Sequence, residues 1–463
     1  MRRFPLSLCL LAMLTFAAMQ SAVAADPPAD DKAAAADQKA AADPVAADDK
    51  KTADDKQAAE DKQAAAKKRA KRRADAKKAA EAKPADDEKQ PTDAEKAAVK
   101  KPADDKKKPT DEKKPADQKP EAKKPDAAKK PAAKKAPDAK KSAVTAVADA
   151  DADFTYQGEY SGVAFIPGYG QELVGLHVVA LGGGKFDAVL YRGGLPGDGW
   201  DRQTKQKLSG ELADQLVTFQ ANADRIVIGP SAQTATIVGG SGQLLGRLGK
   251  KYRISPTLGA TPPPGAVVLF DGKNTDGLSG AKLTDDDLLQ AGVLTKMPVR
   301  DFRLHLEFRT PYMPQARGQA RGNSGVYIQQ RYEVQILDSF GLEGVENECG
   351  GLYKQTRADV NMCLPPLAWQ TYDIYFTAAR FADDKKTKLA PARITVLHNG
   401  VPVHFHRPIP AKTGGGKAEG PEAFPINLQD HGNPVTFRNI WIVPGQGDES
   451  FGGFAGYPYY ARY

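Results

Sequence analysis

The sequence predicts an all-β protein: a concanavalin-like β-sandwich of the jelly-roll type, preceded by a small β-domain and a long disordered tether. Three observations carry this expectation. Apolar and polar residues alternate with a period of two through Phe302–Arg309 and again through Tyr332–Ile336, as strands with one buried face require. Asn399-Gly400 separates two apolar runs, a strong hairpin signal. From residue 153 onward, short apolar runs are punctuated by glycine turns at regular spacing, which argues for a sandwich or barrel with little helix.

Residues 1–24 read as a secretory signal. Arg2 and Arg3 give a basic start, Leu6 to Met19 is an apolar run, and Ala22-Val23-Ala24 fits a small-residue cleavage site. The run is too short for a comfortable membrane span. Cys9 lies inside it rather than just after it, which disfavours a lipoprotein. The expected location is therefore exported, either periplasmic or at the cell surface.

Residues 25–150 are built mainly from Ala, Lys, Asp and Pro, with ADDK recurring and Lys-Pro pairs dominating after Lys100. Almost no large apolar side chain is present to offset the entropy of ordering, so a disordered tether is expected. The whole chain carries a formal charge of +8. Residues 26–141 hold 33 Lys and Arg against 26 Asp and Glu, so the basic excess belongs to the tether and the remainder is nearly neutral. A mixed Lys/Asp tract is a poor phosphate binder, which argues against nucleic acid as a partner. A solvated spacer and a contact with an acidic envelope surface both fit the tether.

Residues 153–260 are expected to form a small antiparallel sandwich or barrel. Its strands are read at Leu173–Leu181, Lys185–Tyr191, Gln215–Gln220, Arg225–Ile228, Thr234–Val238 and Tyr252–Ile254, with Gly182-Gly183-Gly184 as a hairpin turn. The GGLPGDGW loop ends in Trp200, which either caps the core or meets a ligand. GxG spacings here have no strand–helix context and are not nucleotide fingerprints. No catalytic constellation is visible in this unit.

Residues 265–444 carry the sandwich, and 445–463 are a Gly/Tyr-rich tail. Phe302, Leu304, Leu306 and Phe308 should face the core, and Arg303, His305, Glu307 and Arg309 away from it. In the stretch GNSGVYIQQRYEVQILDS, Arg331, Glu333 and Gln335 share one strand face, and Asn323, Tyr327 and Gln329 do the same on the strand before. Such a face of amides, charges and a Tyr suits sugar hydroxyls; it also suits an ordinary solvated sheet. Cys349 and Cys363 are the only cysteines after the signal, and in an exported protein an even pair is expected to form a disulfide, here stapling a rim loop.

The series LFDG, NSGVYIQ, RYEVQILDS, the Cys349–Cys363 loop with NMCLPP, WQTYDI, the HNG hairpin and LQDHGNPVTFRNIWI resembles the bacterial 3-keto-disaccharide hydrolase domain family over about residues 265–444. One departure is Leu278, where the family's pattern has Trp. The resemblance implies the jelly roll shared with laminarinases and many lectins. It also implies a substrate whose C3 hydroxyl is oxidised to a ketone, which acidifies the C2 hydrogen and places the anomeric leaving group β to the carbonyl. Elimination followed by hydration then needs a base near C2, an electrophile at the C3 oxygen and an acid near the leaving oxygen.

The candidate base is Glu333 or His431, with Asp430 beside the latter as a helper or merely a turn cap. Arg331, Lys354 and Arg438 are candidates to polarise the ketone. Gln335, Gln429, Asn323, Tyr327 and Glu307 suit sugar hydroxyls. If a divalent cation is bound, Glu333, Asp338 and His431 are its candidate ligands; no cofactor is certain. The leading expectation is an exported enzyme that cleaves 3-keto glycosides. A lectin-like module without catalysis is the alternative, since function belongs to the site and not the fold, and an envelope scaffold is a third reading.

Overall fold

The computed structural model describes residues 143–452. The expected export signal, almost all of the expected tether and most of the Gly/Tyr-rich tail lie outside the described residues. The described part falls within one compact unit, Pro109–Tyr463.

Eight strands form the first half: β1 (Gly158–Ile166), β2 (Gly170–Gly182), β3 (Lys185–Arg192), β4 (Lys205–Ala213), β5 (Leu216–Ala221), β6 (Asp224–Ile228), β7 (Thr234–Val238) and β8 (Leu244–Lys251). Each pairs with the next, and β8 returns to β1, so the sheet closes into a barrel and leaves no free edge. Tyr160, Leu176, Val178, Phe186, Phe219, Ile226 and Leu248 fill the interior. The last strand is Leu244–Lys251 and not Tyr252–Ile254, which lies outside any strand. In β1, β4 and β8 glycines interrupt the run of large apolar residues that marks a strand in the sequence. Gly210 and Gly246 are required by close packing: a methyl on Gly210 would come within 2.5 Å of the Phe219 ring, and one on Gly246 within 2.5 Å of the Ala164 methyl.

The second half has fourteen further strands: β9 (Val267–Phe270), β10 (Leu278–Ser279), β11 (Leu289–Gln290), β12 (Val293–Thr295), β13 (Phe302–Arg309), β14 (Ser324–Ile328), β15 (Tyr332–Ile336), β16 (Gln370–Thr377), β17 (Arg380–Phe381), β18 (Lys388–Ala390), β19 (Ala392–His398), β20 (Val401–Ile409), β21 (Asn427–Leu428) and β22 (Thr436–Pro444). Five of them form one sheet in the order β10-β12-β21-β14-β15. Seven form a second in the order β11-β22-β13-β16-β19-β20, with β9 also on β22. Between them lies one large core that takes Phe302, Leu304, Leu306 and Phe308 from one sheet and Val326, Ile328, Tyr332, Val334 and Ile336 from the other. The alternation therefore predicts the inward faces of β13, β14 and β15 correctly. Leu278 is buried in the same core.

Stacking and ion-pair contacts join barrel and sandwich. His177 of β2 stacks on Phe340 with ring centroids 4.5 Å apart, and Lys205 and Lys207 of β4 both reach Glu343 at 2.5 Å. Trp200 packs against the sandwich core and edge-on to Tyr191, so it belongs to this seam rather than capping the barrel. The segment after β8 then runs along the outer face of the seven-stranded sheet. There Thr257 Oγ1 donates to Asp373 at 2.7 Å, the Gly259 amide to Glu307 at 2.6 Å, and Trp441 Nε1 to the Ala260 carbonyl at 3.2 Å.

Candidate functional site

The outward face of β14 and β15 is not a solvated surface. Asn323, Tyr327, Arg331, Glu333 and Gln335 are all buried, because two segments cover them. On one side the glycine-rich stretch after β20 is tied to β15: the Thr413 amide donates to the Arg331 carbonyl at 2.8 Å, and the Glu333 amide donates to Thr413 Oγ1 at 3.0 Å. At the other end the turn Gly318–Ala320 brings Gln319 against Asn323 and Gln335.

Glu333 sits at the centre of β15, directly opposite Tyr327 of β14. Burial raises its carboxyl to about 7, and a hydrogen bond from the Tyr327 hydroxyl only partly offsets this. Among the described residues no ion pair to Glu333 is found. The Gln335 amide lies 3.1 Å from Glu333 Oε1 and orients its nitrogen toward that oxygen. Gly325 makes room for the carboxylate: a methyl there would meet Glu333 Oε1 at 2.5 Å and Gln429 Oε1 at 2.8 Å. Gln429 therefore shares the space above Gly325 with Glu333. Its Oε1 also lies 3.1 Å from His431 Nε2, on an exposed loop. That loop is anchored by Asn433, which accepts from the Asn323 amide at 2.7 Å, and by the Ser324 hydroxyl, which donates to the Gln429 carbonyl at 2.7 Å.

Glu333, Tyr327, Gln335, Asn323, Gln429 and His431 are thus brought to one region. Lys354 joins it at the rim. The Tyr353 amide donates to the Glu333 carbonyl at 3.1 Å, and Lys354 is exposed with its amine 5.4 Å from the Tyr353 ring. Tyr353 and Thr413 are site residues that sequence reasoning missed. Both reach β15 through loops far from it in sequence, and neither lies in an alternating pattern.

Six other expectations are corrected. Arg331 does not face a substrate: its guanidinium donates to the Ala418 and Glu422 carbonyls at 2.8 Å each and to Gln329 at 3.0 Å. It pins the covering loop instead. Gln329 belongs to the hairpin turn, where it and Gln330 both adopt left-handed backbone. Asp430 accepts the Gly432 amide at 2.6 Å, which is the turn-capping role. Glu307 and Arg438 lie on the other sheet, ion-paired at 2.6 Å, with Arg438 stacked 4.0 Å over Trp369. Asp338 is ion-paired with Arg321 at 2.7 Å, and among the described residues Glu333, Asp338 and His431 do not converge as a cation site. Finally, Cys349 and Cys363 are free thiols in the core and do not staple a rim loop. The Cys349 sulfur lies 3.2 Å from the Tyr372 hydroxyl, and Cys363 donates to the Leu337 carbonyl at 3.5 Å.

Residues 265–443 match the family described as the 3-keto-alpha-glucoside-1,2-lyase-like domain. This part of the chain belongs to that family. The match ends one residue before β22 does, and so includes β14, β15 and the His431 loop of the lyase-like domain. Three crystal structures, each of a "putative glycosyl hydrolase" from Parabacteroides distasonis ATCC 8503, are similar to the chain. The first is 33% identical, covering 39% of this chain and 84% of that one, with a TM-score of 0.37. The second is 18% identical, covering 39% and 94%, with a TM-score of 0.29. The third is 23% identical, covering 38% and 98%, with a TM-score of 0.27. No curated protein matches the chain.

Proposed function

We propose that the protein is an exported enzyme that cleaves the glycosidic bond of 3-keto glycosides by elimination and hydration, with Glu333 as the base. The observation that carries this reading is the state of Glu333: a buried, mid-strand carboxyl pushed up to about 7, lying inside the lyase-like domain. A base poised near neutrality is what abstraction of a carbon-bound proton needs. An ordinary glycosidase would instead need two carboxylates flanking the bond.

In this scheme Glu333 takes the proton from C2. The C2–H electron pair becomes the C1–C2 double bond, conjugated with the C3 ketone. The C1–O bond breaks, and the leaving oxygen keeps its electrons and takes a proton. Water then adds its oxygen to C1 and returns a hydrogen to C2, which gives the free 3-keto sugar. His431, tied to Gln429 beside Glu333, is assigned the proton for the leaving oxygen. Tyr353 and Lys354 at the rim are assigned the C3 oxygen, where negative charge develops. Export rests on the Arg2-Arg3 start, the apolar run to Met19 and the Ala22-Val23-Ala24 site.

The test is turnover by the full chain on a chromogenic 3-keto-glucoside and on its unoxidised parent, each with and without a chelator. Release from the keto substrate alone is expected. Release from neither, together with measurable glycan binding, would leave a lectin-like module in place of the enzyme.

A further inference from the structure

The seam between barrel and sandwich holds a cleft of about 300 Å³. Its barrel wall is the outward face of β2, β3 and β4. Asp187 lies between Val179 and Ser209 in register there, and the Ser209 hydroxyl donates to its carboxylate at 3.0 Å. Its sandwich wall comes from the segments that carry Arg317, Arg321 and Phe340. Asp187, Ser209 and Arg317 are all exposed, and Asp187 is close enough to act electrostatically on the Arg317 guanidinium. Val179, Leu181 and Phe340 supply an apolar lining. Arg321 spends its Nε on Asp338, but its Nη2 is buried without a partner among the described residues.

We infer that this cleft is a second sugar-binding site, which takes a neutral glycosyl unit; the inference rests on the carbohydrate reading above. The chemistry favours that ligand class. A carboxylate, a hydroxyl and guanidinium donors beside an apolar lining match the hydroxyls and C–H faces of a sugar ring. Each cation of the lining has a carboxylate beside it, Arg317 with Asp187, Arg321 with Asp338 and Lys207 with Glu343, so no uncompensated charge is left to attract a phosphate or a polyanion. The polar walls are equally unsuited to an acyl chain. The volume suits one or two sugar rings. The cleft and the Glu333 site also share one element. Gly318 and Arg321 line the cleft, while Gln319 between them contacts Gln335 next to Glu333. Barrel and sandwich would therefore hold one glycan jointly, with the barrel as the binding half.

The experiment is calorimetric titration of the full chain with cellohexaose, laminarihexaose and maltohexaose, and with hexagalacturonate as an anionic control. Wild type, Glu333→Gln, the double variant Asp187→Ala/Arg317→Ala and the cleft-filling Ser209→Trp are compared, with thermal melts to confirm folding. At least one neutral hexaose should bind to wild type and Glu333→Gln alike, and at least tenfold more weakly to both cleft variants. Equal binding by the cleft variants, binding of no neutral probe, or tighter binding of hexagalacturonate would each overturn the assignment. Turnover of the aryl 3-keto-glucoside is measured alongside. Its absence in wild type counts against the Glu333 mechanism, and the titrations still decide the cleft.

Discussion

Glu307 and Glu333 are the two buried glutamates of the sandwich strands, and they have opposite electrostatics. Each sits in a strand of alternating polarity, FRLHLEFR and YEVQI, and the pattern alone makes them equivalent. Glu307 opposes its burial with a ring of donors: His305, Asn439, the Gly259 amide and Arg438 hold it down to about 2. Glu333 has burial and little else, and rises to about 7. A charged group saturated with donors stabilises the fold and has no capacity left for chemistry. One that is desolvated and unpaired is costly to keep and is ready to accept a proton. What differs is the neighbourhood, and the neighbourhood comes from the loops.

The sharpest way to break the comparison is a matched pair of amide substitutions. Glu333→Gln should lower kcat on a 3-keto-glucoside by about 10²–10⁴-fold, the range for a general base, with no loss in melting temperature. Glu307→Gln should leave turnover within a few-fold and lower stability by about 3–5 kcal/mol, because it strands Arg438 and His305 beside a neutral amide. Equal loss of activity in both would place the chemistry on neither in particular.

Arg331→Met probes the covering loop. Three carbonyl or amide acceptors lose their donor, so a loss of about 3 kcal/mol is expected in chemical denaturation. Activity should fall more than stability accounts for, because the loop that covers Glu333 is no longer pinned.

The pH dependences should also separate. For Glu333 the folded value lies above the ordinary 4.5, so the folded state holds more protons than the unfolded one between 4.5 and about 7. Its contribution therefore favours folding at low pH and is lost as pH rises through that window. Activity runs the other way: kcat/KM should rise with pH to a plateau above about 7, as the carboxylate forms. For Glu307 the folded value is depressed, so its contribution is present above 4.5 and lost as pH falls toward about 2. Denaturation midpoints measured across pH for the two amide variants would show which slope each carboxyl supplies.

The smallest expected effect belongs to His431→Asn. An exposed loop imidazole that protonates a leaving group should matter little for a good leaving group such as nitrophenolate and about tenfold or more for a poor one such as an alkyl alcohol. An equal loss with both would assign His431 to binding.

Much of this site could be read from alternation. Asn323, Tyr327, Glu333 and Gln335 share a face because strand side chains repeat every two residues, and Val326, Val334 and Ile336 meet the core for the same reason. Alternation cannot say what lies over a face. Thr413, Tyr353 and the Gly318–Ala320 turn arrive from loops, and they turned a surface that read as open into a buried one. The same gap explains Arg331 and Arg438, whose charges suited a ketone but whose partners lie about ninety and about one hundred and thirty positions away in sequence. In the barrel the hidden strands were those whose glycines meet another strand or ring, a requirement set by closure that local pattern does not carry.

The segment from Ser255 to Ala260 precedes the stretch that family matching recognises, which begins at residue 265. Yet it completes that stretch's outer sheet: Gly259 feeds Glu307, Ala260 holds Trp441, and Ser255 and Thr257 close over Thr371. The unit drawn by homology is therefore smaller than the unit that can be moved. Excised at residue 265, the sandwich would expose a strip of charges and hydroxyls that its neighbour now dries. Its inheritance as a detachable module would require a replacement strap of the same kind.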